Sequence, residues 1–105
     1  MGYELVLQAI LEKKAITAYY HGQYREMCPH VLGYKNGKRH ALFYQFGGQS
    51  NSRPIQPDGS PDNWRCIDID KLTDVALMDI REWHSAPDHS RPQTCVDSVE
   101  AVVSY

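Results

Sequence analysis

Residues 65–75 read Arg-Cys-Ile-Asp-Ile-Asp-Lys-Leu-Thr-Asp-Val, and their alternation constrains the fold more than any other stretch of the chain. Ile67, Ile69 and Lys71 alternate with Cys66, Asp68 and Asp70. A period of two fits an extended strand with two unlike faces. Residues 64–69 therefore read as one strand and Asp70-Lys71-Leu72 as a turn. Residues 73–80, around the apolar run Val75-Ala76-Leu77-Met78, read as the next strand. A strand with one apolar face has to bury that face, so the rest of the chain must supply a sheet and a cover.

The preceding residues supply both. In residues 3–14, Leu5, Val6, Ala9 and Ile10 fall at helical spacing, with Glu4, Gln8, Glu12 and Lys13 opposite, which predicts one amphipathic helix. A single helix with one apolar stripe makes no helix-turn-helix; it suits the open end of a small barrel. The β-branched and aromatic residues 15–20 predict a first strand, and His21-Gly22-Gln23 a turn. Residues 24–32 predict a second strand, in which Pro29 marks an edge or a bulge because proline cannot donate to a ladder. Asn36-Gly37 is a hairpin signal that leads into a third strand at 39–46. Residues 47–63, rich in Gly, Pro, Ser, Asn and Asp, read as a long loop, mobile or a lid. After Trp83 comes a loop-like stretch, and residues 96–105 read as a sixth strand or a short helix. The expected fold is mainly β: a five-stranded bent barrel over residues 1–82 with an N-terminal helix, followed by a C-terminal extension at 83–105. The expected core includes Leu5, Ile10, Leu42, Ile67, Ile69 and Leu77.

At 105 residues the chain has room for one modest core. No apolar run approaches the roughly 20 residues of a membrane span, and Met1-Gly2-Tyr3-Glu4-Leu5 has no basic leader. Cys28, Cys66 and Cys95 form no Cys-x-x-Cys unit, so the spacing favours free thiols and a cytoplasmic protein. The net charge is −2, with +3 in residues 1–46 and −5 in residues 47–105. That excludes a wholly basic duplex-binding surface and leaves room for a basic patch from the first half.

Two lines of the sequence carry a family resemblance. Arg25 and Pro29-His30-Val31-Leu32, then Arg65-Cys66-Ile67-Asp68-Ile69-Asp70-Lys71-Leu72, resemble in order and spacing the Pro-x-x-Leu and Arg-x-aromatic-x-Leu-Asp-Arg-Ile lines of WYL domains. These are small Sm-like or SH3-like barrels, usually placed behind a DNA-binding domain in bacterial regulators. The resemblance spans about residues 5–80. It departs at the namesake tripeptide, where this chain has His40-Ala41-Leu42, at Lys71 in place of arginine, and at Ile67 in place of the aromatic. It implies that Arg25 and Arg65 face a ligand.

The chemistry-bearing residues admit several readings. Cys28, His30, Cys66, His21 and His40 could contribute to a metal site, but no paired ligand motif stands behind them, and neither a metal nor another cofactor is expected. Cys28 or Cys66 with His30 or His40 could form a thiol nucleophile and base, the least supported reading, so no catalytic residue is expected. Gly47-Gly48 is no phosphate loop. The remaining set is basic and aromatic: Arg25, Arg65, Lys71, Tyr20, His30, Arg39 and Tyr44 as ligand-binding residues, with Tyr34 nearby. Small barrels stack bases on such rings and hold phosphates with such cations. The expected function is non-enzymatic sensing of a nucleotide or short single-stranded nucleic acid, with output through a protein partner or homo-oligomer and no membrane. The alternative is a structural interaction or dimerisation domain.

Overall fold

The computed structural model describes residues 2–49, 55–57, 60, 63–78, 83–84 and 95–103. The chain is mainly β, as expected. One helix, α1 (Gly2–Glu12), precedes strands β1 (Ile16–Tyr20), β2 (Gln23–Lys35), β3 (Lys38–Gly48), β4 (Trp64–Asp68), β5 (Leu72–Leu77) and β6 (Ser98–Val102). All pairings are antiparallel within one sheet of order β4-β3-β2-β1-β5, and β6 pairs with β2. Among the described residues the sheet is not closed: β4 and β5 are not paired with each other. No described helix is long and apolar enough to cross a membrane.

α1 ends two residues before the expected boundary. Lys13 takes a left-handed conformation (φ 55°), its N–H donates to the Ile10 carbonyl and that of Lys14 to the Ala9 carbonyl, which closes the last turn. The Asn36-Gly37 turn has positive φ at both residues (52° and 80°), as a two-residue hairpin turn that matches strand twist demands. β2 runs to 13 residues, longer than its sequence pattern showed, and is central rather than at an edge. It tolerates Pro29 because the register with β3 slips between Pro29 and Val31.

The main core lies between α1 and one face of the sheet. Val6, Ala9 and Ile10 of α1 meet Ile16, Ala18, Met27, Leu32, Ala41, Phe43, Ile67, Ile69 and Leu72. Ile67 and Ile69 are buried as the alternation requires, although Ile69 begins a short 3-10 turn (Ile69–Lys71) rather than ending β4. Leu5, Leu42 and Leu77 are half-buried rather than central to the core. Leu42 lies between the inward Ala41 and Phe43, so it faces outward, where Val31, Cys95 and Val96 cover it. Residues 98–102 settle as a strand, and Gly33 admits it: a Cβ there would stand 2.1 Å from the Ser98 carbonyl oxygen.

The expectation of free thiols is overturned. Cys66 and Cys95 form a disulfide across a sequence separation of 29, with Cα atoms 5.5 Å apart. Spacing along the chain concealed the pair because the stretch leading into β6 folds back over β4. Cys28 takes no part in the disulfide; it is buried, and its Sγ accepts from the His84 N–H at 3.3 Å. The cytoplasmic expectation drew on reduced thiols as one of its grounds and loses that one, since disulfides persist in oxidising compartments. Most of the loop expected at 47–63, and with it the lid, lies outside the described residues, as does most of the tail at 83–94; Gly47 and Gly48 belong to β3.

Candidate anion-binding site

Cross-strand partners point to the same face of a sheet, so the register shows which side chains share a face. Arg25 lies opposite Ala18, and Met27 opposite Ile16 and Gln45. Arg65 lies opposite Phe43. Ala18, Ile16, Met27 and Phe43 all belong to the main core, so Arg25, Gln45 and Arg65 share that inward face. Arg25 is 3% exposed and Arg65 5%. Gly48 helps to enclose Arg25: at φ 85° it brings β3 so close that a Cβ would lie 2.7 Å from the Arg25 Cα.

Burying a guanidinium is costly unless a carboxylate and hydrogen bonds compensate it. Arg25 has little of either. Its Nη1 donates to Gln45 Oε1 over a long 3.4 Å, and its guanidinium carbon sits 4.9 Å from the centre of the Tyr20 ring. Its buried Nε has no hydrogen-bond partner, and no carboxylate among the described residues pairs with it. Desolvation lowers the Arg25 pKa from the usual arginine range, opposed by the neighbouring Tyr20. The Gln45 amide is fixed in place: Nε2 donates to the Gly47 and Gln49 carbonyls at 3.0 and 2.8 Å, which aims Oε1 at Arg25. Arg65 Nη1 donates to the Trp64 carbonyl at 3.1 Å.

The other expected ligand-binding residues are placed differently. Tyr20 is half-buried beside Arg25. Lys71 is exposed, one residue before Leu72, the strand partner of Tyr20. Tyr44 is fully buried on the opposite face, between Cys28 and Trp64, and its hydroxyl donates to the Ser60 carbonyl at 3.0 Å. Packing takes up its ring faces. His30 is also fully buried, its ring 4.7 Å from Trp64 and 4.9 Å from Trp83 between centres. Arg39 lies over the Tyr3 ring at 3.6 Å and donates from Nε to the Tyr34 hydroxyl, while the Tyr3 hydroxyl bonds Glu100. That hydrogen bond is the main cause of the raised Tyr3 pKa. These contacts tie α1, β2, β3 and β6 together.

Arg39 also borders a half-open cleft of about 890 Å³ between the start of α1 and β5. Glu4, Asp70 and Asp74 line the same cleft, so it has no net attraction for an anion. Cys66, in its disulfide, offers no thiolate to a metal or a substrate. No group of three or more metal-ligating side chains occurs among the described residues.

Sequence reading missed Gln23 and Gln45. Gln45 follows the unbroken apolar run Ala41-Leu42-Phe43-Tyr44, whose lack of alternation hides which residues face inward. Gln23 stood in an expected turn, whereas it opens β2 opposite Tyr20. No protein-family model, curated protein or solved structure matches this chain.

Proposed function

We propose that this chain is a non-enzymatic ligand-binding module, a WYL-like small barrel that holds a nucleotide or a short single-stranded nucleic acid through an anionic group. One observation carries the reading: Arg25 is buried on the inner face of the sheet without a compensating carboxylate among the described residues. A fold keeps such a cation at the expense of stability, and an anionic ligand restores the balance. Arg65 lies on the same inward face of the sheet, and Tyr20 presents an aromatic surface beside Arg25. The overall charge of −2 favours a small or single-stranded ligand over a duplex.

The test is a titration of labelled single-stranded oligonucleotides and of mononucleotides at two salt concentrations, with Arg25→Ala beside the parent chain. Salt-sensitive binding that the substitution abolishes supports the reading. Absence of binding to any of them rejects it. A structural interaction module is the second reading, favoured by Val99 and Val102, each 53% exposed on β6. A concentration-dependent dimer without ligand binding would favour it, because β6 would then pair edge to edge.

A further inference from the structure

The hydrogen bonds that Arg25 makes leave one particular edge of its guanidinium unused. Nη1 is engaged with Gln45, while Nε has no partner and Nη2 makes no hydrogen bond. Nε–H and one Nη2–H point the same way and form the side-on fork that grips two oxygens of a carboxylate or phosphate at once. Gln45 cannot swing away to compete, since both of its amide hydrogens are held by backbone carbonyls.

A second buried polar atom lies on the same strand face. Gln23 sits two residues before Arg25 on β2, about 7 Å away by strand rise, and its Oε1 is buried without a donor. Its Oε1 accepts no hydrogen bond there, so turning the amide over breaks none at that position and offers Nε2–H to a ligand oxygen. Tyr20, opposite Gln23, covers the Arg25 guanidinium with its ring. The unused donors therefore suit a compact acceptor with several oxygens.

Access decides which acceptor enters. With Arg25 only 3% exposed, an internal phosphodiester would have to bring a flanking nucleotide on each side into the core. A terminal phosphate enters with a single substituent trailing towards solvent. We propose that Arg25, with Gln23 and the fixed Gln45, forms a pocket for a terminal phosphomonoester: the end of a nucleotide or of a 5′-phosphorylated single strand. The inference rests on the anion-binding reading above and specifies which group of the ligand is held.

The experiment compares inorganic phosphate, adenosine 5′-monophosphate, adenosine, and one hexanucleotide with and without its 5′-phosphate, by calorimetry on the parent chain, Arg25→Lys and Gln23→Leu. Loss of even one charge-assisted hydrogen bond corresponds to about tenfold to a hundredfold in affinity, and that is the least the fork should contribute. The 5′-phosphorylated hexanucleotide should exceed its 5′-hydroxyl form by that factor, and Arg25→Lys, which keeps the charge and loses the fork, should remove the difference. Gln23→Leu should weaken the phosphorylated ligands alone. Competition by inorganic phosphate and the monophosphate, but not by adenosine, places the affinity in the phosphate. Equal, Arg25-dependent binding of both hexanucleotides would overturn the terminal-phosphate assignment and leave anion binding standing. Failure of every ligand to bind would overturn both.

Discussion

Replacing Arg25 by methionine separates a ligand-binding arginine from a structural one. Methionine keeps most of the apolar stem and removes the charge. Relieving a buried ion in favour of a well-packed apolar side chain gains about 1–4 kcal/mol. Against this stand the Tyr20 contact, worth about 1 kcal/mol, and the Gln45 Oε1 left without its donor, another ~1 kcal/mol. The second figure is at the low end because the bond is long, at 3.4 Å. The net expectation runs from a loss of about 1 to a gain of about 2 kcal/mol, whereas truncating one member of a buried ion pair costs about 3–5 kcal/mol. Urea unfolding at unchanged m-value measures the difference. In a thermal melt each kcal/mol moves the midpoint by about 4–8 °C for a domain near this size. A loss of 3 kcal/mol or more would refute the argument, because the arginine would then be compensated in the fold and need no ligand.

Three further outcomes follow from the geometry. Cys66→Ser opens a loop of about 30 residues and should lower stability by about 3–4 kcal/mol on loop-closure entropy; an unfolding midpoint indifferent both to the substitution and to reductant would contradict the pairing with Cys95. Gly33→Ala drives a Cβ against the Ser98 carbonyl and should cost about 1–3 kcal/mol, with faster amide exchange at residues 98–102; unchanged exchange there would show that β6 does not lie over Gly33. The Tyr3 pKa is raised, chiefly by its hydrogen bond to Glu100, so its stabilising contribution is intact below the ordinary tyrosine value and lost as pH rises through the folded one. Glu100→Gln should flatten that alkaline decline in midpoint, and a decline of the same steepness would disconnect it from the Tyr3–Glu100 bond.

The fold was legible where the chain alternates or turns. Ile67 and Ile69 announced their face because acidic residues separate them, and Asn36-Gly37 announced its hairpin because few other pairs accept positive φ twice. Leu42 was misplaced because residues 41–44 are apolar throughout, and an unbroken run carries no information about faces. The disulfide was illegible for a different reason. Cys95 meets Cys66 only through the return of the C-terminal segment over β4, a long-range contact that no local pattern encodes.

The candidate site was half legible, and the missing half explains how it could work. Arg25 and Arg65 were singled out by their order in the chain, and the strand register puts them on one face. Order could not indicate that they are buried, because an arginine early in a strand ordinarily faces solvent. Burial follows from the surroundings: Gly48 draws β3 over Arg25, and Gln45 fixes one of its nitrogens. Gln45 itself is spent on backbone carbonyls at the end of β3, so it cannot neutralise the charge it touches. A neutral amide held against a buried cation orients it without discharging it. That combination leaves a pre-aimed donor edge for an anion from outside the chain. A carboxylate in place of Gln45 would close the site by satisfying the arginine internally, so Gln45→Glu should abolish anion binding; it gives up the two amide hydrogen bonds to the Gly47 and Gln49 carbonyls in exchange for the ion pair.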